Sequence, residues 1–175
     1  MSAILVLKMM PDDKINHLLS LPVEDRLDQY FPEDIAAKEQ RTDTDVAWQG
    51  IHFLLTGTLE SGIPPASFLL SGGTILGPSA LAATTDIASL GFGEIDRVLS
   101  SAEVSEVDDH LAMVSDQQLW KTYMDAGHLL SDIYPGTWRQ DSEQDISDLL
   151  LSYHVMRKFV KRARENGLGL LLHFA

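Results

Sequence analysis

Apolar and polar residues change their spacing several times along the chain, and each change marks the start of a new element. Residues 2–10, SAILVLKMM, make a short unbroken apolar run rich in strand formers and closed by Pro11, which reads as a core strand. Ile15, Leu18 and Leu19 then fall at i, i+3 and i+4, the face of a helix that opens at Pro11, Asp12 and Asp13 and ends before Pro22. Two aspartates at that end meet the positive pole of the helix dipole. Val23, Leu27, Tyr30 and Phe31 predict a second short helix, stopped by Pro32. Residues 33–45 are polar and read as a surface connection, with Thr44 or Asp43 as the expected N-cap of the helix that follows.

That helix, WQGIHFLLTG over residues 48–57, holds the densest mixture of side chains in the chain. Trp48, Ile51, His52 and Leu55 form one stripe, and Phe53 and Leu54 widen it, so the helix is expected to be central and buried on most sides. Gly57 suits the left-handed residue just past its end. Beyond it, residues 58–65 read as a loop, 65–70 as a helical turn, and Ser71-Gly72-Gly73 as a place where another group, backbone or ligand, approaches closely. Residues 74–76 and 80–83 are candidate strand pieces. Helical spacing is read from Asp86 and Ile87 through Ile95, Val98 and Leu99, and again at Val104, Val107, Leu111 and Val114, with breaks at Gly91, Gly93 and Ser100 or Ser101. A helix from Ser115 or Asp116 to Met124 groups Leu119, Trp120 and Tyr123, and IYPGTW at 133–138 predicts a turn.

The longest periodic run covers 142–166, with Ile146, Leu149, Leu150, Tyr153, Met156, Val160 and Ala163 on one side. Ser142 and Asp145 have the spacing of a capping box with the shorter acid; acids occupy the start and Arg157, Lys158, Lys161, Arg162 and Arg164 the end, as the dipole favours. Gly167 closes it, and residues 168–174 return as an apolar strand. The two terminal runs are the most apolar short segments, so they are expected side by side in one small sheet covered by helices. The fold class is therefore α+β.

Composition narrows the function classes. The 175 residues suit one domain with a sizeable core, spanning 1–175. A formal net charge of −13 disfavours a nucleic-acid partner, because phosphate binding needs clustered Lys and Arg. The same charge attracts a basic protein, although strong acidity also serves solubility alone. With no cysteine, disulfides, thiolate catalysis and Cys-ligated zinc are absent. The apolar run of residues 3–7 is too short for a leader or a span, and the basic residues of the last helix share it with a core stripe and preceding acids; cytoplasm without membrane contact is expected.

Taken together, WQGIHFLLTG, IYPGTW and the closing LLLSYHVMRKFVKRARENGLGLLLHF make the chain resemble the YfbM-like family, a bacterial domain of unknown function, over nearly its whole length. The shared features are a Trp leading an apolar helix into Leu-Thr-Gly, an Ile-Tyr-Pro turn, and a last helix running into an apolar strand. The resemblance implies a single cytoplasmic α+β domain. It implies no activity, cofactor or catalytic residue.

Candidate chemistry is sparse. Neither GGTILGP nor GFGEID has the spacing of a phosphate loop, and no G-x-S-x-G elbow occurs. His128 with Asp132 and Glu106 with His110 stand at i, i+4, yet neither is HExxH, so no metal and no cofactor are expected. His52 on an apolar stripe has two readings: a core imidazole bonded to a carbonyl or a Tyr hydroxyl, or a group lining a small-molecule pocket with Trp48, Thr56, Tyr123 and Tyr134. Two functions follow. One is a binding module for a basic protein, through an acidic face including Glu103, Glu106, Asp108 and Asp109; the other is a small-molecule-binding or enzyme site at the His52 helix.

Overall fold

In a computed structural model, which describes residues 4–30, 40–77 and 96–174, the two apolar termini pair as expected. Strands β1 (Leu5–Met10) and β5 (Gly169–Phe174) run antiparallel in full register from Leu5↔Phe174 to Met10↔Gly169. They are two of the three inner strands of a five-stranded antiparallel sheet of order β2-β1-β5-β4-β3, with β2 at Arg41–Asp43, β3 at Thr74–Ile75 and β4 at Arg97–Leu99. Period-two alternation sends Leu5, Leu7, Met9, Leu170, Leu172 and Phe174 to the main core, and Met10, Leu171 and Val98 to a smaller cluster with Ile15, Leu18 and Leu76. Because both faces are covered, the central strands read as continuous apolar runs.

Six α-helices lie in the described chain: α1 (Asp12–Ser20), α2 (Val23–Tyr30), α3 (Trp48–Thr56), α4 (Ser101–Met113), α5 (Asp116–Asp125) and α6 (Glu143–Glu165), with 3-10 turns at Asp45–Ala47 and Gly127–Asp132. Helix α6 buries Ile146, Leu149, Tyr153, Met156, Phe159, Val160 and Ala163 along one side, as its spacing predicts. Ser142 caps it by accepting from the Asp145 N–H. The second half of the capping box is missing, because the Asp145 carboxylate accepts from the Arg139 N–H instead. Complete capping boxes start α4 (Ser100, Glu103) and α5 (Ser115, Gln118). Gly50 lets α3 meet α6 closely: a methyl there would lie 2.5 Å from Leu149 Cδ2.

Three expectations are corrected. Ile95, Val98 and Leu99 stand at helical spacing, but Arg97–Leu99 is a strand whose residues, with Asp96, are all buried. Three apolar positions at i, i+3 and i+4 do not separate a short two-sided strand from a helix. The polar stretch before α3 contains strand β2, which pairs Val6↔Asp43 and Lys8↔Arg41. Polar side chains suit an exposed edge. The expected cap of α3 is also absent: a 3-10 turn, Asp45–Ala47, leads into the helix, Thr44 Oγ1 donates to the Leu5 carbonyl, and Asp43 accepts from the Asp45 N–H. The proposed strand piece at 80–83 and the helix start at 86–87 lie outside the described residues.

Candidate functional site

At α3 the apolar stripe buries Ile51, His52, Phe53 and Leu54, and Gly57 ends the helix at φ 73°, its N–H donating to the Phe53 carbonyl over 2.7 Å. The loop beyond is then tied back onto the helix. His52 is fully buried, and its Nε2–H donates to the Ser61 carbonyl at 3.1 Å. Thr56 Oγ1 donates to the His52 carbonyl and accepts from the Thr58 N–H, while the Thr58 hydroxyl donates to Ser61 O. Burial, against the Ser61 bond and helped by the positive Arg97, lowers the His52 pKa to about 4. The ring is neutral at pH 7. Its Nδ1 is a buried acceptor without a partner among the described residues.

The other residues read as lining a pocket sit apart from that imidazole's bond. Trp48 stacks on Tyr134 with centroids 5.7 Å apart and meets Phe174 edge-on at 5.1 Å. The Tyr134 N–H donates to Gln49 Oε1 and the Trp138 indole donates to the Tyr134 carbonyl, so α3 and the 133–138 turn are joined at their polar atoms as well as their rings. Tyr123 is buried in α5 and donates to the Arg139 carbonyl at 2.7 Å. Burial, then the Asp145 charge, pushes its phenol up to about 12. The structure thus groups Trp48 with Tyr134 and His52 with Thr56, and places Tyr123 with Arg139.

A second buried polar cluster had no counterpart in the sequence reading. Arg97, at the start of β4, is buried and donates to the carbonyls of Phe68, Leu69 and Gly72, at 3.1, 2.6 and 2.8 Å. Burial draws its pKa down to about 10, with the neighbouring Asp96 acting the other way. The Asp96 carboxylate is also buried; it accepts from His173 Nδ1 at 2.7 Å and from the Phe174 N–H at 3.2 Å. These bonds clamp β5 and the 64–73 segment to β4. The adjacent glycines serve the same junction: a Cβ on Gly73 (φ 67°) would lie 2.3 Å from the Val98 carbonyl, so the close group is backbone. Lone Asp and Arg residues inside the apolar run IDRVL were the available signal.

Carboxylates behave differently in different places. Of the four acids read as a docking face, Glu103 serves a capping box, and Asp108 and Asp109 both accept from Arg164, whose pKa those bonds raise. One cation, Arg164, therefore offsets part of that face's charge from within. Across the molecule, α5 lies against the start of α6 and leaves a cleft of about 190 Å3 lined by Trp120, Met124, Gln140, Asp141, Ser142, Glu143 and Ile146. Trp120 is 38% and Met124 40% exposed. Gln140 spans the cleft, donating to the Met124 carbonyl at 2.6 Å. Asp141 and Glu143 make no ion pair among the described residues, whereas the nearby Asp125 is held by Lys121. Among the described residues no group of three or more His, Asp or Glu is placed to hold a metal, and no helix is long and apolar enough to cross a membrane.

Residues 1–173 match the sequence model of a family described as a domain of unknown function, DUF1877. The fold matches the crystal structure of YfbM from Escherichia coli, a protein of unknown function, with a TM-score of 0.68 and 23% identity over 98% of this chain and 99% of that one. No curated protein matches the chain.

Proposed function

This chain belongs to the DUF1877 family, a domain of unknown function, and we propose that it is a non-catalytic binding module that takes a basic segment of a partner protein into the cleft between α5 and the start of α6. One observation carries the reading: a partly exposed indole and thioether flank a concave site whose rim holds two carboxylates that make no ion pair among the described residues. Trp is the residue most enriched among interface anchors, and its face attracts a guanidinium or ammonium. A Lys or Arg laid on Trp120 would bring its charge between Asp141 and Glu143. The overall charge of −13 would steer such a partner from a distance.

The earlier acidic face on α4 is a poorer candidate, since Arg164 already occupies two of its carboxylates. The small-molecule reading of α3 has less support again. Its imidazole is sealed and its nearest hydroxyls are spent on the 57–61 loop.

Titration of an arginine-rich peptide against the whole protein tests the proposal. Binding should weaken steeply with added salt, and Trp120→Ala or the pair Asp141→Asn with Glu143→Gln should reduce affinity at least ten-fold with the helical circular dichroism retained. Absence of binding at low ionic strength, or binding indifferent to these substitutions, would overturn it.

A further inference from the structure

The outer side of α6 carries a pattern that its inner side does not require. Leu151 is 65% and Val155 46% exposed, at the middle of the 23-residue helix. They lie in an open groove of about 480 Å3 whose other lining residues are His154, Arg157, Lys158 and Lys161. Outward positions 144, 148, 151, 155 and 158 alternate between steps of four and three, the seam spacing of paired helices. Charge changes sign across the seam. Asp148 lies one turn before Leu151, and Lys158 one turn after Val155.

We propose that a second copy of this chain covers this face, with the two α6 helices antiparallel about a two-fold axis that passes by residue 153. Leu151 and Val155 are equidistant from that point, as are Asp148 and Lys158. One rotation therefore lays each Leu151 against Val155 of the other copy and each Asp148 beside Lys158 of the other copy. A two-fold contact repeats every interaction twice, giving two apolar contacts flanked by two ion pairs. Both charged groups are available for it. Asp148 accepts only from the exposed Gln144 amide, and Lys158 makes no ion pair among the described residues.

Other occupants fit less well. A uniformly basic segment would meet Arg157, Lys158 and Lys161 in the groove, and a uniformly acidic one running on along α6 would meet Asp148, one turn before Leu151. A parallel pair of α6 helices would oppose like charges along its length. Of these occupants the antiparallel copy is the one that matches both halves at once. A single helix pair covers less than the ~1,600 Å2 of a standard interface, so the association should be reversible and concentration-dependent.

Sedimentation velocity over a wide concentration range tests this on the full chain. The parent should move from one-copy to two-copy mass as concentration rises. Asp148→Lys and Lys158→Glu should each weaken association at least ten-fold, with helical circular dichroism and melting temperature retained, because both side chains are exposed. Mixing the two variants in equal amounts should restore the two-copy particle, since every pairing across the axis is then between opposite charges. A parent that stays at one-copy mass throughout overturns the proposal. So does a two-copy particle that survives both single substitutions, or variants that stay apart when mixed.

Discussion

The end of α3 and the flank of α5 and α6 use the same kinds of side chain to opposite ends. Around α3, an imidazole, two hydroxyls and a nearby guanidinium are turned inward, and their named bonds run to backbone carbonyls within the same molecule. Along the flank, an indole, two carboxylates and a lysine lie at the surface with their charges or faces still open. A buried polar group without a partner costs ~1–3 kcal/mol, so the interior can tolerate few of them. Water charges nothing comparable at the surface. Residue identity therefore says little about function here until burial is known. The inward set holds loops in place, and the outward set is what a partner can meet.

Substitution should separate the two regions by size of effect. The largest is expected at Arg97→Met, which leaves three carbonyls unserved and a buried Asp96 without its neighbouring charge; urea unfolding should show a loss of about 3–5 kcal/mol. A result under about 1 kcal/mol would mean the guanidinium is not the clamp described. Next comes acidification. The folded pKa of His52 is about 4, below the ordinary 6.5 of an unfolded chain. The unfolded state therefore takes up the proton first as pH falls. Stability from this group is complete above pH 6.5 and drains away between 6.5 and about 4, by at most ~3 kcal/mol. A His52→Gln variant, less stable at pH 7, should have a flatter stability profile across that window than the parent. Parallel profiles would place the ring in contact with solvent.

Gly73→Ala should cost about 1–3 kcal/mol, because its backbone is left-handed and the Val98 carbonyl occupies the space a methyl needs. Thermal melting measures it, and an unchanged melting temperature would refute the tight junction. The smallest effects belong to the flank. Trp120→Ala, which also removes the packed part of the indole, should cost about 1–2 kcal/mol while weakening peptide binding, and Lys158→Glu should alter stability by no more than ~0.5 kcal/mol while changing self-association. A larger loss of stability at either would move that residue from the open set to the sealed one.

How much of this was legible in advance depends on range. Helix α6, its Ser142 cap and strand β5 follow from local spacing, and so does the Gly57 stop of α3. Pairing of β1 with β5 was legible because two apolar runs in a small domain have few other places to be buried. The 95–99 segment misled because three apolar residues are too few to define a period. The Asp96–His173 bond joins residues 77 positions apart and leaves no local pattern at either end. Nor did periodicity distinguish the acids of α4, partly paired with Arg164, from those at the α5–α6 cleft.

Taken alone, the order of residues determined the elements with strong periodicity, the α+β class, the acidity and the polarised charge of the last helix, since each depends on neighbours along the chain or on simple totals. Tertiary structure alone decided which polar groups are sealed, which carboxylates already have a cation, and which apolar residues of α6 are left outside. Those properties depend on what packs against each side chain, and the packing partners come from distant parts of the chain.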